Sequence, residues 1–118
     1  MEDKRRYQRW QLGFYLQVFD QKSNFSLGEI RNISEGGMML VGRNPLKKGK
    51  IYELWMEAPL ETGMTDRVVF KAACVWVNDA DQSSEFESGL EYQPLSSNAD
   101  TFFSELIDYI SAKHSHRP

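Results

Sequence analysis

Short runs of alternating apolar and polar residues fill most of this chain, and a three-to-four spacing appears only at its end. That change of period is the strongest constraint on the fold. Phe14, Leu16 and Val18 fall on one face of the first run, with Tyr15, Gln17 and Phe19 on the other. A side-chain period of two is that of a strand. Gln21 to Asn24 reads as a turn. A second strand follows with Phe25, Leu27 and Ile30, and the isolated Gly28 inside it marks a bulge or bend. After Gly36 and Gly37, Met38 to Val41 forms a short strand, and Asn44 to Gly49 a polar connection. Ile51 to Glu57 is the next strand, with Tyr52, Leu54 and Met56 on one side and Trp55 on the other. Pro59 to Thr65 is a loop. The nearly continuous apolar run from Val68 to Val77 suits a strand buried on both faces or closing a barrel. Asp79 to Ser88 is polar and reads as a surface loop, and Gly89 to Tyr92 is the last strand, stopped by Pro94.

Beyond Pro94, Phe103, Leu106, Ile107 and Ile110 share one face of an amphipathic helix over about 97–113. Ser97 with Asp100 resembles the start of a capping box. Six or seven short strands with turn signals at this spacing, then one helix, give a mainly β domain. A small antiparallel barrel fits best, its helix plugging one end or packing on its side.

The 118 residues suffice for one domain, and 41% hydrophobic content supports a core. The formal charge of -3 speaks against a nucleic-acid partner, which needs a dominant basic face. No apolar stretch approaches the ~18 residues of a membrane span, and the charged start lacks a signal-peptide core, so the default is a cytoplasmic protein without membrane insertion. The single cysteine, Cys74, excludes an internal disulfide and sits in an apolar run as a small core residue. His114 and His116 lie in the terminal tail. Glu85, Glu87 and Asp81 form an acidic loop that reads as solvated. With no phosphate loop and no nucleophile–base set, neither a catalytic centre nor a metal site is expected, and an enzyme is not the reading.

The chemistry concentrates in two places. Lys4, Arg5, Arg6, Tyr7, Gln8 and Arg9 put four cations and an aromatic ring into six residues of an acidic chain. Arg5 and Arg9 share a face whether the segment is extended or helical. A guanidinium binds phosphate bidentately, stacks on a base and pairs with guanine O6 and N7. A local basic patch on an acidic body suits a compact anion. The second place is Asn32, Ser34 and Gly37. Asn32 and Ser34 lie two apart at a strand end and project the same way. Gly37 permits positive φ or a close backbone approach. Both groups also have plainer readings, a solvated basic tail and self-satisfied turn chemistry.

The joint pattern is more specific. Arg5-x-x-x-Arg9 ahead of a first strand, then Asn32-x-Ser34-x-x-Gly37, resembles the PilZ domain family. Ser34 to Met38, Val75 with Trp76, and Gly89 to Tyr92 extend the likeness, and Asn32 stands where the family more often has Asp. The resemblance implies a six-stranded antiparallel barrel (residues 14–118, with the C-terminal helix) preceded by a ligand-clamp segment (residues 1–13). It implies a bacterial receptor for cyclic di-GMP. Arg5 and Arg9 would grip phosphate and the Hoogsteen edges of guanine. Asn32 and Ser34 would bond a guanine, and Gly37 would admit the backbone. Lys4, Arg6, Gly36 and Trp76 are secondary candidates. Lys4 stands where the family's neighbour of the first arginine can influence ligand stoichiometry. Trp76 reads more readily as a core residue than as a base-stacking one. The implied role is an adaptor that signals to a protein effector when its N-terminal segment becomes ordered on the ligand. The alternative is a PilZ-fold interaction module that needs no nucleotide, and a small barrel binding single-stranded nucleic acid ranks last.

Overall fold

The alternating runs pair into a closed ring whose inward residues make one core. A computed structural model of the chain describes residues 9–11, 15–58, 62, 67–79 and 84–115. Among them are strands β1 (Trp10–Gln11), β2 (Gln17–Asp20), β3 (Ser26–Ile33), β4 (Gly37–Gly42), β5 (Ile51–Glu57), β6 (Arg67–Asp79) and β7 (Phe86–Tyr92), and helix α1 (Ser97–Ser115). The ring runs β3-β2-β5-β6-β7-β4 and returns to β3, with every pairing antiparallel. This is the expected six-stranded barrel with a C-terminal helix. Closure removes the open edges that would otherwise invite pairing with other chains.

The two-residue β1 is too short for any periodicity to reveal. It pairs with β3 through Trp10–Ile33 and Gln11–Asn32, while β2 pairs further along through Gln17–Glu29. Because β4 occupies the other edge of β3, β1 and β2 are two pieces of one barrel stave. The sheet therefore begins inside the segment read from sequence as the clamp. Gly28 sits at φ +150° where the β2–β3 register slips, and a Cβ there would stand 2.8 Å from the Val41 carbonyl oxygen. The bulge expected at this glycine is present.

Val18, Ile30, Leu40, Leu54 and Met56 fill the barrel with at most 1% exposure, and Cys74 is buried among them. Burial pushes the Cys74 thiol up from its ordinary range. Helix α1 adds Phe102, Phe103, Leu106 and Ile110 to the same core, and its neighbours are β6 and β1. Phe103 stacks on Tyr92 at 4.7 Å and meets the edge of Phe70 at 5.0 Å. The Tyr92 hydroxyl is buried with no hydrogen-bond partner among the described residues, and desolvation drives its pKa far above the ordinary phenol range.

Three details depart from the sequence reading. Phe25 lies outside β3 and is 74% exposed, because Asn24 (φ 63°) closes the preceding turn and Asp20 accepts the Lys22 and Ser23 N–H groups. The last strand starts at Phe86 rather than Gly89, since β7 lies between β4 and β6 and is paired on both edges. Its first residues are polar, yet Ser88 is 2% exposed. The helix is capped by Ser96, not Ser97: Ser96 Oγ accepts the Ala99 N–H at 3.1 Å. Asp100 sits in the first turn, favourable to the helix dipole. Ser96→Ala should therefore cost about 1 kcal/mol, read as a lower urea midpoint at unchanged m-value, with Ser97→Ala close to neutral.

Among the described residues no helix is long and apolar enough to cross a membrane. None of their His, Cys, Asp and Glu side chains gather in threes that could hold a metal. Asp81, His114 and His116 lie outside the described side chains.

Candidate functional site

Two bulges decide which side chains reach the outer wall. In β3, Gly28 and Ile30 are buried inward, and continued alternation would send Asn32 into the core. The β3–β4 register slips between Ile30 and Asn32, leaving Arg31 as the extra residue. Inward packing resumes at Ile33, so Asn32 turns outward opposite Met39. In β6, Val68, Phe70, Ala72 and Cys74 point inward, and the register with β7 slips between Cys74 and Trp76. Trp76 thereby turns outward opposite Gly89. The half-buried Trp76 is a wall residue, and its sequence reading as core is corrected.

The registers join these residues into one outer row. Gln11 faces Asn32, Asn32 faces Met39, Met39 faces Gly89, and Gly89 faces Trp76, crossing β1, β3, β4, β7 and β6. Asn32 is 8% exposed and donates its amide to Met39 Sδ at 3.7 Å, a weak contact. A Cβ on Gly89 would overlap the Trp76 indole, so this glycine lets the ring lie against the strand.

Ser34 and Gly37 bracket the Glu35–Gly36 turn between β3 and β4. Ser34 N–H donates to the Gly37 carbonyl at 2.9 Å. Ser34 Oγ accepts the Gly36 N–H at 3.2 Å and donates to the Gly37 carbonyl at 3.4 Å. The hydroxyl thus fixes its own turn, as Ser commonly does. Gly37 has no positive φ. A Cβ on it would overlap the Leu90 carbonyl oxygen, so the close backbone approach it permits is that of β7.

Arg9 is exposed and directly precedes Trp10, the partner of Ile33. Arg5, Lys4 and Arg6 lie outside the described residues. The structure thus gathers Asn32, Ser34, Gly36 and Gly37 on one hairpin, with Arg9 at its side and Trp76 on the same row. Arg31, exposed at the bulge, is a cation that the sequence reading passed over, as it passed over Met39 and Gly89. Their signal lies in the registers, which the sequence does not display.

The electrostatics of this end are mixed. A pocket of about 530 Å³ beside the hairpin is lined by Glu35, Glu91 and Asp100, together with Gly36, Tyr92, Leu95 and Ser97. An anion drawn to the row needs cations to offset these carboxylates. Arg9 and Arg31 are exposed cations next to Trp10 and Asn32 in sequence.

Comparison with known proteins follows the same line. A search of curated proteins finds no match. Among solved structures, the PilZ domain of Escherichia coli YcgR with c-di-GMP superposes with a TM-score of 0.73 at 15% identity, covering 95% of each chain. The Bacillus subtilis inhibitor of motility MotI/DgrA gives 0.73 at 22% identity, covering 98% of this chain and 54% of that one. The K. pneumonia MrkH–c-di-GMP complex gives 0.74 at 17% identity, covering 98% and 57%. The chain thus spans about half the length of the last two, and at these identities the likeness is one of fold. The PilZ domain family model matches residues 3–112, nearly the whole sequence. The chain belongs to the PilZ domain family.

Proposed function

We propose that this chain is a cytoplasmic receptor for cyclic di-GMP and works as an adaptor, by binding and not by catalysis. The observation that supports the reading is the β1–β3 register: Trp10, the residue after Arg9, pairs with Ile33, which stands between Asn32 and Ser34. A ligand with two phosphates and two guanines meets there the groups it needs. Arg5 and Arg9 take phosphate and the Hoogsteen edges of guanine. Asn32 supplies an amide whose contact among the described residues is a weak one to the Met39 thioether. Ser34 holds the turn and keeps acceptor capacity on its oxygen. The Trp76 indole, laid over Gly89, offers a face for base stacking. Arg31 adds charge opposite Glu35 and Glu91. Lys4 and Arg6 reinforce the clamp, and Gly36 serves the turn. YcgR and MrkH, solved with c-di-GMP, share the fold and supply the ligand class.

Signalling follows from the position of β1. It continues directly from the arginine segment and neighbours helix α1. A ligand that fixes the segment alters the surface formed by β1 and α1, and a protein effector reads that change. The test is calorimetric titration with cyclic di-GMP. Asn32→Ala should weaken binding about 2- to 12-fold, the effect of one neutral hydrogen bond. A wild-type protein that gives no binding heat would instead make the chain a nucleotide-independent interaction module.

A further inference from the structure

The outer wall of β5 and β6 carries a second pattern, on the stretch of β6 that precedes Trp76. Its register pairs Ile51 with Ala73, Glu53 with Lys71, Trp55 with Val69, and Glu57 with Arg67. All eight are on the outward parity, opposite the buried Leu54, Met56, Val68, Phe70 and Ala72. Ile51 and Val69 are 51% and 57% exposed, although the apolar run of β6 suggests burial on both faces. Trp55, beside Val69, is held by three contacts. It stacks on Phe19 at 4.4 Å, lies 4.0 Å beneath the Arg67 guanidinium and donates Nε1–H to Asn24 Oδ1 at 2.9 Å. Apolar rows (Ile51–Ala73, Trp55–Val69) thus alternate with charged rows (Glu53–Lys71, Glu57–Arg67) around a pre-ordered aromatic, and a pre-ordered aromatic costs little to bury in an interface.

We infer that two copies of this chain pair face to face through β5 and β6, about a twofold axis parallel to the strands. The sequence of the two strands singles out that partner. Such an axis sets β5 of one copy over β6 of the other at the same level. Every acid then meets a base: Glu53 the partner's Lys71, and Glu57, already bonded to its own Arg67 at 3.2 Å, the partner's Arg67 as well. Every large apolar side chain meets a smaller one: Trp55 the partner's Val69, Ile51 the partner's Ala73. An axis perpendicular to the strands, in the same plane, sets Glu53 against Glu57 and Lys71 against Arg67 when it passes at the level of Trp55, and sets each of these charges against an apolar residue when it passes one residue nearer Ile51. Charge and size therefore select one isologous arrangement, in which the same patch serves both copies. Aligned packing of two sheets about 10 Å apart accommodates it.

Sedimentation equilibrium of the full chain tests this. Wild type should show a species of twice the monomer mass. Glu53→Lys places two lysine pairs across the axis, and Lys71→Glu places two glutamate pairs. Each should weaken self-association by about 100-fold or more. Mixed in equal amounts, the two variants restore both opposite-charge contacts and should recover the dimer, which an unfolded variant would not do. A monomeric wild type, a single variant that dimerises as wild type does, or a mixture that stays monomeric would each overturn the inference.

Discussion

Arg9→Ala should weaken cyclic di-GMP binding about 10- to 150-fold, the range for losing charge-assisted hydrogen bonds of roughly 1.5–3 kcal/mol. Arg9 is exposed and stands one residue ahead of β1, so its side chain contributes nothing visible to the core. The unfolding midpoint should stay at the wild-type value while the titration changes. Arg9→Lys separates charge from shape: a lysine keeps the point charge but loses the planar fork, and should recover only part of the affinity. Arg5→Ala belongs to the same experiment, because the clamp reading needs both. Unchanged affinity in the two alanine variants would remove the clamp and leave Asn32, Ser34 and Trp76 to explain any binding. Affinity lost together with thermal stability would point to a structural role for Arg9, which its exposure argues against. The Glu35 and Glu91 carboxylates add a further expectation: charge reversal at Arg9 should be worse than truncation, because it joins them.

The barrel is legible in the sequence wherever one face of a strand meets the core and the other meets water. Ile51 to Glu57 alternates cleanly for that reason, and the helix announces itself through Phe103, Leu106 and Ile110. The polar start of β7 is not legible, because its place is fixed by ladders on both sides rather than by a hydrophobic face. Ser96, Ser97 and Asn98 are all good cap residues, and only the bond to Ala99 chooses among them. The pattern of Arg5, Arg9, Asn32, Ser34 and Gly37 is legible as a family signature, but the outward turn of Asn32 at the β3–β4 bulge is not. A bulge inverts the parity of everything after it, and neither Arg31 nor Val75 carries a mark of being the extra residue. Trp76 in an apolar run therefore looks like core until the register is known. Glu35 comes from the β3–β4 turn and Glu91 from β7, so their meeting at one pocket is a property of the fold.

Gly37→Ala should be among the most destabilising single-methyl changes in the chain. The site looks permissive from sequence, where a glycine after a turn suggests conformational freedom. The structure gives it ordinary φ and no room: a Cβ would overlap the Leu90 carbonyl oxygen and stand 3.1 Å from Glu91 Cα. Both obstacles are backbone. The strand that carries them cannot retreat easily, because Leu90 is buried, Tyr92 N–H bonds the Gly36 carbonyl at 3.0 Å, and β6 holds the far edge. Overpacking of this kind costs about 1–3 kcal/mol, and prising β4 from β7 would add the loss of ladder bonds next to a barrel seam. A fall of at least about 3 kcal/mol in urea-derived stability is expected on that basis. Gly49→Ala is the control: Gly49 has φ +90° but nothing within 4 Å of the added carbon, so it reports backbone strain without a clash, about 1–2 kcal/mol. Reading stability and cyclic di-GMP affinity on the same samples separates the two roles open to Gly37. If the fold weakens while residual folded protein still binds, the glycine is there for β7. If stability holds and binding disappears, the space beside Leu90 is not what this residue protects, and the glycine is there for the ligand.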